Sequence, residues 1–220
     1  MPHHSYDVLA QLHPRVPASL IESARSWDID SAPAVPRLSA SVVVVRDTPT
    51  GLQTYLLQRQ ASMPFAPLMS VFPGGAVDPS DDPRDPLLFC ALRETEEETG
   101  LRLEPSGLAP WARWVTPIYA PLRFDTAFFV AVCPPDQEPR NISGEADTAS
   151  WWEIADALSA YETGVLALLP PTLSVLLELA ACADTDAVRQ RALGRIVAPV
   201  CPELTADGDD VHYRYPSVVA

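Results

Sequence analysis

A β-branched run, Ser41-Val42-Val43-Val44-Val45, predicts a strand over residues 39–46 that is buried on both faces. Asp47 to Gly51 is turn material, and residues 54–59 supply the returning strand of a hairpin. Farther on, residues 111–118 and 124–133 form a second strand pair joined by Ala120-Pro121-Leu122-Arg123; the later strand alternates little, so it belongs in the middle of a sheet. Helical periodicity returns over residues 153–163, closed by Gly164, then in an apolar segment opened by Pro170-Pro171-Thr172, and again over 184–193. Before the first strand, Pro2, Pro14, Pro17, Pro33 and Pro36 leave room for one short helix between Pro17 and Trp27 and mark an arm. After the last helix, Arg195 to Ala220 reads as an irregular tail with a strand at 211–215.

One further helix carries the chemistry. Leu87 to Thr99 is rich in helix formers, with Pro86 suited to a first-turn position and Gly100 to the C-terminal cap. On its wheel Glu94, Glu97 and Glu98 share one side, while Leu88, Ala91, Leu92 and Thr95 share a second side about a quarter turn away. Glu96 points away from both. Like charges at these spacings repel by a few tenths of a kcal/mol per pair, roughly, in an isolated helix, so the acids need an external reason. A hard divalent cation, Mg²⁺ or Mn²⁺, is the natural one, since it takes carboxylate oxygens and bridges them to phosphates. A solvated acidic face is the bland alternative.

The segment Arg93-Glu94-Thr95-Glu96-Glu97-Glu98-Thr99-Gly100-Leu101, preceded by Phe72-Pro73-Gly74-Gly75, resembles the signature of the Nudix hydrolases. Thr95 stands where that signature prefers an apolar residue, and Gly75 lies eighteen residues before Arg93, an insertion of four against the usual pattern. The signature's first Glu is missing; Asp85 sits at the corresponding distance, with Asp82 nearby. The insert from Asp78 to Asp85, with its four aspartates, reads as exposed and mobile. Leu56-Leu57-Gln58-Arg59 through Asp78 looks like the branch with a lengthened loop that includes peroxisomal coenzyme A diphosphatases. The resemblance spans about Ser39 to Ala181 and implies an α/β fold, a Nudix α/β/α sandwich on a mixed sheet. The expected organisation is an N-terminal arm (1–37), the hydrolase domain (38–183), and a C-terminal helix and tail (184–220).

The resemblance also implies roles. Glu94, Glu97 and Glu98, with the carbonyl near Gly75, would hold the metal, and Arg93 would steady the helix carboxylates. Glu145, on the loop before Trp151-Trp152, matches a further carboxylate that serves Nudix proteins as ligand or base, so the water-activating base is Glu94 or Glu145. Arg59, Arg123 and Asp125 are the substrate-binding candidates, with Arg113 another anion-binding candidate. Surface ion pairing is the ordinary alternative for each charged residue. Met63, Phe65 and Met69 in the loop over residues 60–70 could wall a base or acyl chain, or fill core beneath the loop. Trp151 and Trp152 are read as packing residues, and His3, His4 and His13 as solvated arm histidines.

Composition narrows the substrate. A formal charge of −14 disfavours nonspecific nucleic-acid binding, which relies on Lys and Arg neutralising phosphates. Cys90, Cys133, Cys182 and Cys201 form no C-x-x-C pair, no signal-like segment opens the chain, and no apolar run reaches membrane-spanning length. These features point to reduced thiols in a cytoplasmic protein, with a homodimer through the arm or the apolar helices left open. The expected reaction is metal-dependent hydrolysis of a nucleoside diphosphate linked to another moiety, leaning to coenzyme A or acyl-CoA. ADP-ribose or NADH is the competing substrate class, and a noncatalytic Nudix-fold ligand-binding module the competing function.

Overall fold

The computed structural model describes Leu9 and residues 14–28, 30–207 and 210–215. His3, His4 and His13 lie outside the described residues. In chain order the first elements are α1 (Ala18–Arg25), β1 (Arg37–Thr48), β2 (Gly51–Arg59), β3 (Ser70–Val71), β4 (Gly74–Ala76) and α2 (Pro86–Thr99). They are followed by β5 (Ala109–Val115), β6 (Phe124–Val132), β7 (Ala146–Glu153), α3 (Ile154–Glu162), α4 (Pro170–Leu179) and α5 (Thr185–Ala192). Three short strands close the described chain: β8 (Pro199–Val200), β9 (Glu203–Asp207) and β10 (Asp210–Arg214).

β1 is the axis. It runs parallel to β6, with Ala40 opposite Ala127 and Val44 opposite Ala131. Its other edge pairs antiparallel with β4 at Ser39 to Ser41 and with β2 from Val45 to Thr48. The main path of this mixed sheet is β3-β2-β1-β6-β5-β8, with β7 on β2. Because alternate strand residues face opposite sides, the valine run serves two cores at once. Val43 and Val45 join Leu56, Trp111, Phe128 and the helix residues Leu173, Leu176 and Leu179 on one face. Val42 and Val44 join Tyr55, Phe129, Cys90, Ala91 and Leu101 on the other. Helices thus cover both faces, giving an α/β/α sandwich.

Three segments differ from the sequence expectation. β7 begins at Ala146, inside the polar loop expected to run from 134 to 150 before Trp151: its polar alternation leaves one side exposed, yet it pairs with β2 from Gln53↔Glu153 to Arg59↔Ala146. The insert is exposed at 78–80 and 83–85 as expected but turns Asp81 inward, 7% exposed. The segment after Ala183 is part of the sandwich. Thr185 donates its N–H and hydroxyl to the Asp47 carboxylate at 2.8 and 2.6 Å, and Val200 of β8 pairs with Trp114 of β5. The Arg195 guanidinium stands 4.6 Å from the centre of the Trp111 ring and donates to buried Glu178 at 2.6 Å. No helix among the described residues is long and apolar enough to cross a membrane.

Ending the chain at Ala183, the expected domain boundary, removes Val188 and Val200 from the core. Each buried valine contributes about 1.5–3 kcal/mol, and a domain this size shifts by roughly 2–4 °C per kcal/mol, so the truncated chain should melt more than about 10 °C lower. Circular dichroism melting checks this; a midpoint within about 3 °C of the full chain would contradict it.

Candidate active site

α2 begins where Asp85 accepts the Leu88 N–H at 3.3 Å and Pro86 takes the first helical position. It ends at Gly100, whose φ of +75° suits glycine and whose N–H reaches the Glu96 carbonyl at 2.8 Å. The buried side of the helix is Cys90, Ala91, Thr95, Glu98 and Thr99, so the packing face is turned toward the acids relative to the wheel expectation. Thr95 is fully buried, its hydroxyl donating to the Ala91 carbonyl at 2.7 Å. Glu97 remains exposed, and Glu96 faces outward to pair with Arg102 at 2.8 Å.

Glu98 is the buried acid, 6% exposed, and one of its oxygens accepts the Gly74 N–H at 2.7 Å. Burial pushes its pKa up to about 7, the Gly74 N–H and Arg59 oppose the rise, and Glu94 and Glu145 add to it. Glu94 is also raised, chiefly by burial, against the opposing effect of Arg93 and with Glu97 and Glu145 raising it further. Neighbouring carboxylates therefore add to the rise of both Glu94 and Glu98.

Arg93 gathers the helix acids. Its Nη1 donates to Glu94 Oε1 at 2.7 Å and Glu97 Oε2 at 3.1 Å, while Nε and Nη2 donate to Asp81 at 2.8 and 3.1 Å. The Asp81 hydrogen bonds to Arg93 hold that aspartate below the usual carboxylate range. Asp81 thus takes the place expected for Asp85 or Asp82. Asp85 is spent capping α2, and Asp82 pairs with Arg84. Counted from Gly75 instead of from Arg93, Asp81 stands six residues on, at the signature's acid position, so the four-residue insertion follows it.

β4 brings Gly74 and Gly75 beside the helix. A side chain on Gly75 would place its Cβ 2.4 Å from the Glu94 carboxyl group, so the absence of one lets the acid lie against the backbone. The Gly75 carbonyl accepts the Cys90 thiol at 3.4 Å. At the end of β2, Arg59 lies opposite Ala146, and Gln60 N–H donates to the Glu145 carbonyl at 3.1 Å. A register shift between Gln58 and Arg59 marks a bulge at this point, a common device beside active sites.

The other substrate-binding candidates, Arg123 and Asp125, are engaged by other partners. Arg123 is 7% exposed and gives its guanidinium to two backbone carbonyls, Thr116 at 3.0 Å and Ala34 at 2.8 Å. That is a correction: it fastens the chain before β1 instead of facing a phosphate. Asp125 forms a two-point pair with Arg113, both contacts at 2.7 Å, on the sheet face that carries α2. Trp151 packs edge-on against Tyr55 and beneath Arg46, as a packing residue would.

The NUDIX domain family model matches residues 35–170, more than half of the chain. The chain belongs to the Nudix family. A NUDIX hydrolase from Alicyclobacillus acidocaldarius, solved by crystallography, is 29% identical with a TM-score of 0.64, covering 71% of this chain and 96% of that one. A Caenorhabditis elegans protein carrying the provisional name nudix hydrolase 7 is 24% identical, over 76% of this chain and 68% of its own length. The NUDIX domain of Shewanella oneidensis NrtR, complexed with ADP ribose, shares the fold at 19% identity and a TM-score of 0.53, covering 78% of this chain and 97% of that domain.

This protein is therefore a Nudix hydrolase, and Nudix hydrolases generally use divalent metals. Among the described residues no three His, Cys, Asp or Glu side chains already converge as a metal cage. Arg93 and the Gly74 N–H engage the acids instead. The donor set nevertheless fits a hard cation: carboxylate oxygens on α2, with the open Gly75 backbone against Glu94.

The two glycines of this Nudix site predict opposite outcomes. The nearest atoms to a Gly75→Ala methyl are the flexible end of Glu94, so the variant should displace that carboxylate, lowering turnover by about 100-fold while the melting temperature stays within a few degrees. Gly74→Ala meets the Ala40 carbonyl at 2.3 Å at a φ of +157°, so it should destabilise the fold itself. Parallel melting and turnover assays separate the two; equal effects in both variants would contradict this assignment.

Proposed function

We propose that this Nudix hydrolase cleaves the diphosphate of a nucleoside diphosphate joined to another group, with coenzyme A or an acyl-CoA as substrate and Mg²⁺ or Mn²⁺ as cofactor. The observation that carries the hydrolytic reading is the pair Glu94 and Glu98 on α2, both raised chiefly by burial and further by neighbouring carboxylates, with Glu94 lying against the Gly75 backbone. Glu94, Glu97, Glu98 and the Gly75 carbonyl are the proposed metal ligands. A divalent ion held there would lower the pKa of the attacking water and offset charge on the diphosphate oxygens. Glu94 or Glu145 would serve as the base for the attacking water. Arg93 keeps Glu94 and Glu97 oriented, and Arg59, beside Glu98, binds a substrate phosphate. Asp125, paired with Arg113, contributes to recognition of the rest of the substrate.

The preference for coenzyme A is supported by the loop between β2 and β3. Ala66 and Leu68 both adopt left-handed backbone, φ +50° and +62°, costing about 1 kcal/mol or more each. Non-glycine strain of this kind concentrates where a shape is needed for function. The loop is tied to the site by Arg59, whose Nε donates to the Phe65 carbonyl at 3.1 Å. Leu68 is 52% exposed and Met63 half-buried, which gives apolar surface suited to a pantetheine or acyl chain.

Mass-spectrometric product analysis with Mg²⁺ and then Mn²⁺ on coenzyme A, acetyl-CoA, ADP-ribose and NADH tests this. Release of 3′,5′-ADP with a phosphopantetheine product, abolished by chelation, is the expected result. AMP from ADP-ribose or NADH alone would overturn the coenzyme A preference and keep the reaction class; no product from any compound would overturn both.

A further inference from the structure

The loop between β2 and β3 carries two strained residues, Ala66 and Leu68, and strain of this kind persists only where surrounding structure holds it. Along the backbone the loop bonds to itself and to Arg59: the Leu68 N–H reaches the Arg59 carbonyl at 3.2 Å, and the Arg59 N–H reaches the Met69 carbonyl at 3.0 Å. Phe65 makes the link to another strand. Its ring meets that of Phe124, the first residue of β6, edge-on with centroids 4.9 Å apart. Phe124 is the fixed side of this contact. Its N–H donates to Thr116 Oγ1 at 3.0 Å, its carbonyl accepts the Thr116 N–H at 2.9 Å, and it lies opposite Arg37 of β1. Just before it, buried Arg123 bonds to the Thr116 and Ala34 carbonyls, and the Arg123 carbonyl accepts the Arg37 N–H at 2.9 Å. The arginine that faces no phosphate thus fastens the strand end presenting Phe124.

The same Phe65 holds Arg59 from the other end, its carbonyl accepting Arg59 Nε at 3.1 Å. A guanidinium is rigid and planar, so engaging Nε restricts where Nη1 and Nη2 can point. Among the described residues those two nitrogens make no hydrogen bond or ion pair, while the Arg59 charge is felt at Glu98. We propose that Phe124 is a positioning residue for Arg59, holding the Phe65 ring so that the Phe65 carbonyl keeps Nε and leaves both terminal nitrogens to a substrate phosphate. The inference rests on the reading of Arg59 as a phosphate-binding residue given above. A fork with both terminal nitrogens free suits two oxygens of one phosphate, and holding it in place beforehand lowers the ordering cost of binding. Without the Phe124 ring the strained loop can relax, and the Phe65 carbonyl is released from Nε.

The test is a double-variant cycle in the full chain, on whichever of coenzyme A, acetyl-CoA, ADP-ribose and NADH yields product, reading KM, kcat and melting temperature. Phe124→Ala should raise KM about 10-fold with kcat within about threefold, the pattern of lost binding shared by ground and transition states. Phe124→Tyr, which keeps the ring, should bring KM back to within about twofold of wild type. Arg59→Ala should raise KM at least as much as Phe124→Ala does. Adding Phe124→Ala to it should change KM by less than about twofold, because no guanidinium is left to position. Phe65→Leu keeps the carbonyl and removes only the ring, on a loop outside the sheet, so it should reproduce the Phe124→Ala effect even where the strand variant does not fold. Unchanged KM in Phe65→Leu or in folded Phe124→Ala, or a full further loss in the double variant, would overturn the proposal. Unchanged KM in Arg59→Ala would overturn the phosphate-binding reading of Arg59 and this inference with it, whereas a raised KM there beside unchanged KM in Phe65→Leu overturns this inference alone. A wild-type chain that turns over none of the compounds overturns the proposed function and this inference together.

Discussion

Carboxylates on one helix face repel, and burial makes the charges on Glu94 and Glu98 more costly still. The arrangement of Glu94, Glu97 and Glu98 therefore depends on what offsets that repulsion. Two groups do so: Arg93, which reaches Glu94 and Glu97 through a single nitrogen, and the Gly74 N–H, which binds Glu98. Both are fixed by other parts of the chain. The insert anchors Arg93 through Asp81, and β4, paired with β1 at Ser39 to Ser41, delivers the Gly74 N–H. The central valine strand is thus both the spine of two cores and the base on which the acid cluster is registered.

This division of labour has a chemical consequence. Carboxylates raised by burial are poorly satisfied on their own and gain most from an added positive charge, the condition for binding a hard cation tightly enough to act on phosphate. Mounting them on a helix packed against β1 and β4, instead of on loops, keeps their geometry precise. Arg59 and Glu145 lie at the bulged junction of β2 and β7, where a register shift re-aims the strand end.

Much of this was legible in the sequence. The valine run, the strand pair around Phe124 and the acid-bearing helix announce themselves through local pattern, and their bounds in the structure differ by a few residues at most. What escaped depends on contacts between distant parts of the chain. β8 is two residues long and is a strand only because β5 offers it an edge. β7 looks like loop because one of its sides is polar. Asp81 keeps the signature's distance from Gly75 and Asp85 its distance from Arg93, and the fold of the insert turns the first inward to Arg93 and leaves the other at the helix start. Arg123 resembled a phosphate ligand because a buried arginine held by backbone carbonyls leaves no periodic trace.

The most direct test of the metal-bearing helix is the turnover of Glu97→Gln and Glu98→Gln, each checked for native circular dichroism and melting. Replacing a ligand carboxylate by an amide keeps shape while removing charge, so both variants should fold and lose activity by about 100-fold or more. Full activity in both folded variants would contradict the claim that these side chains bind the catalytic metal.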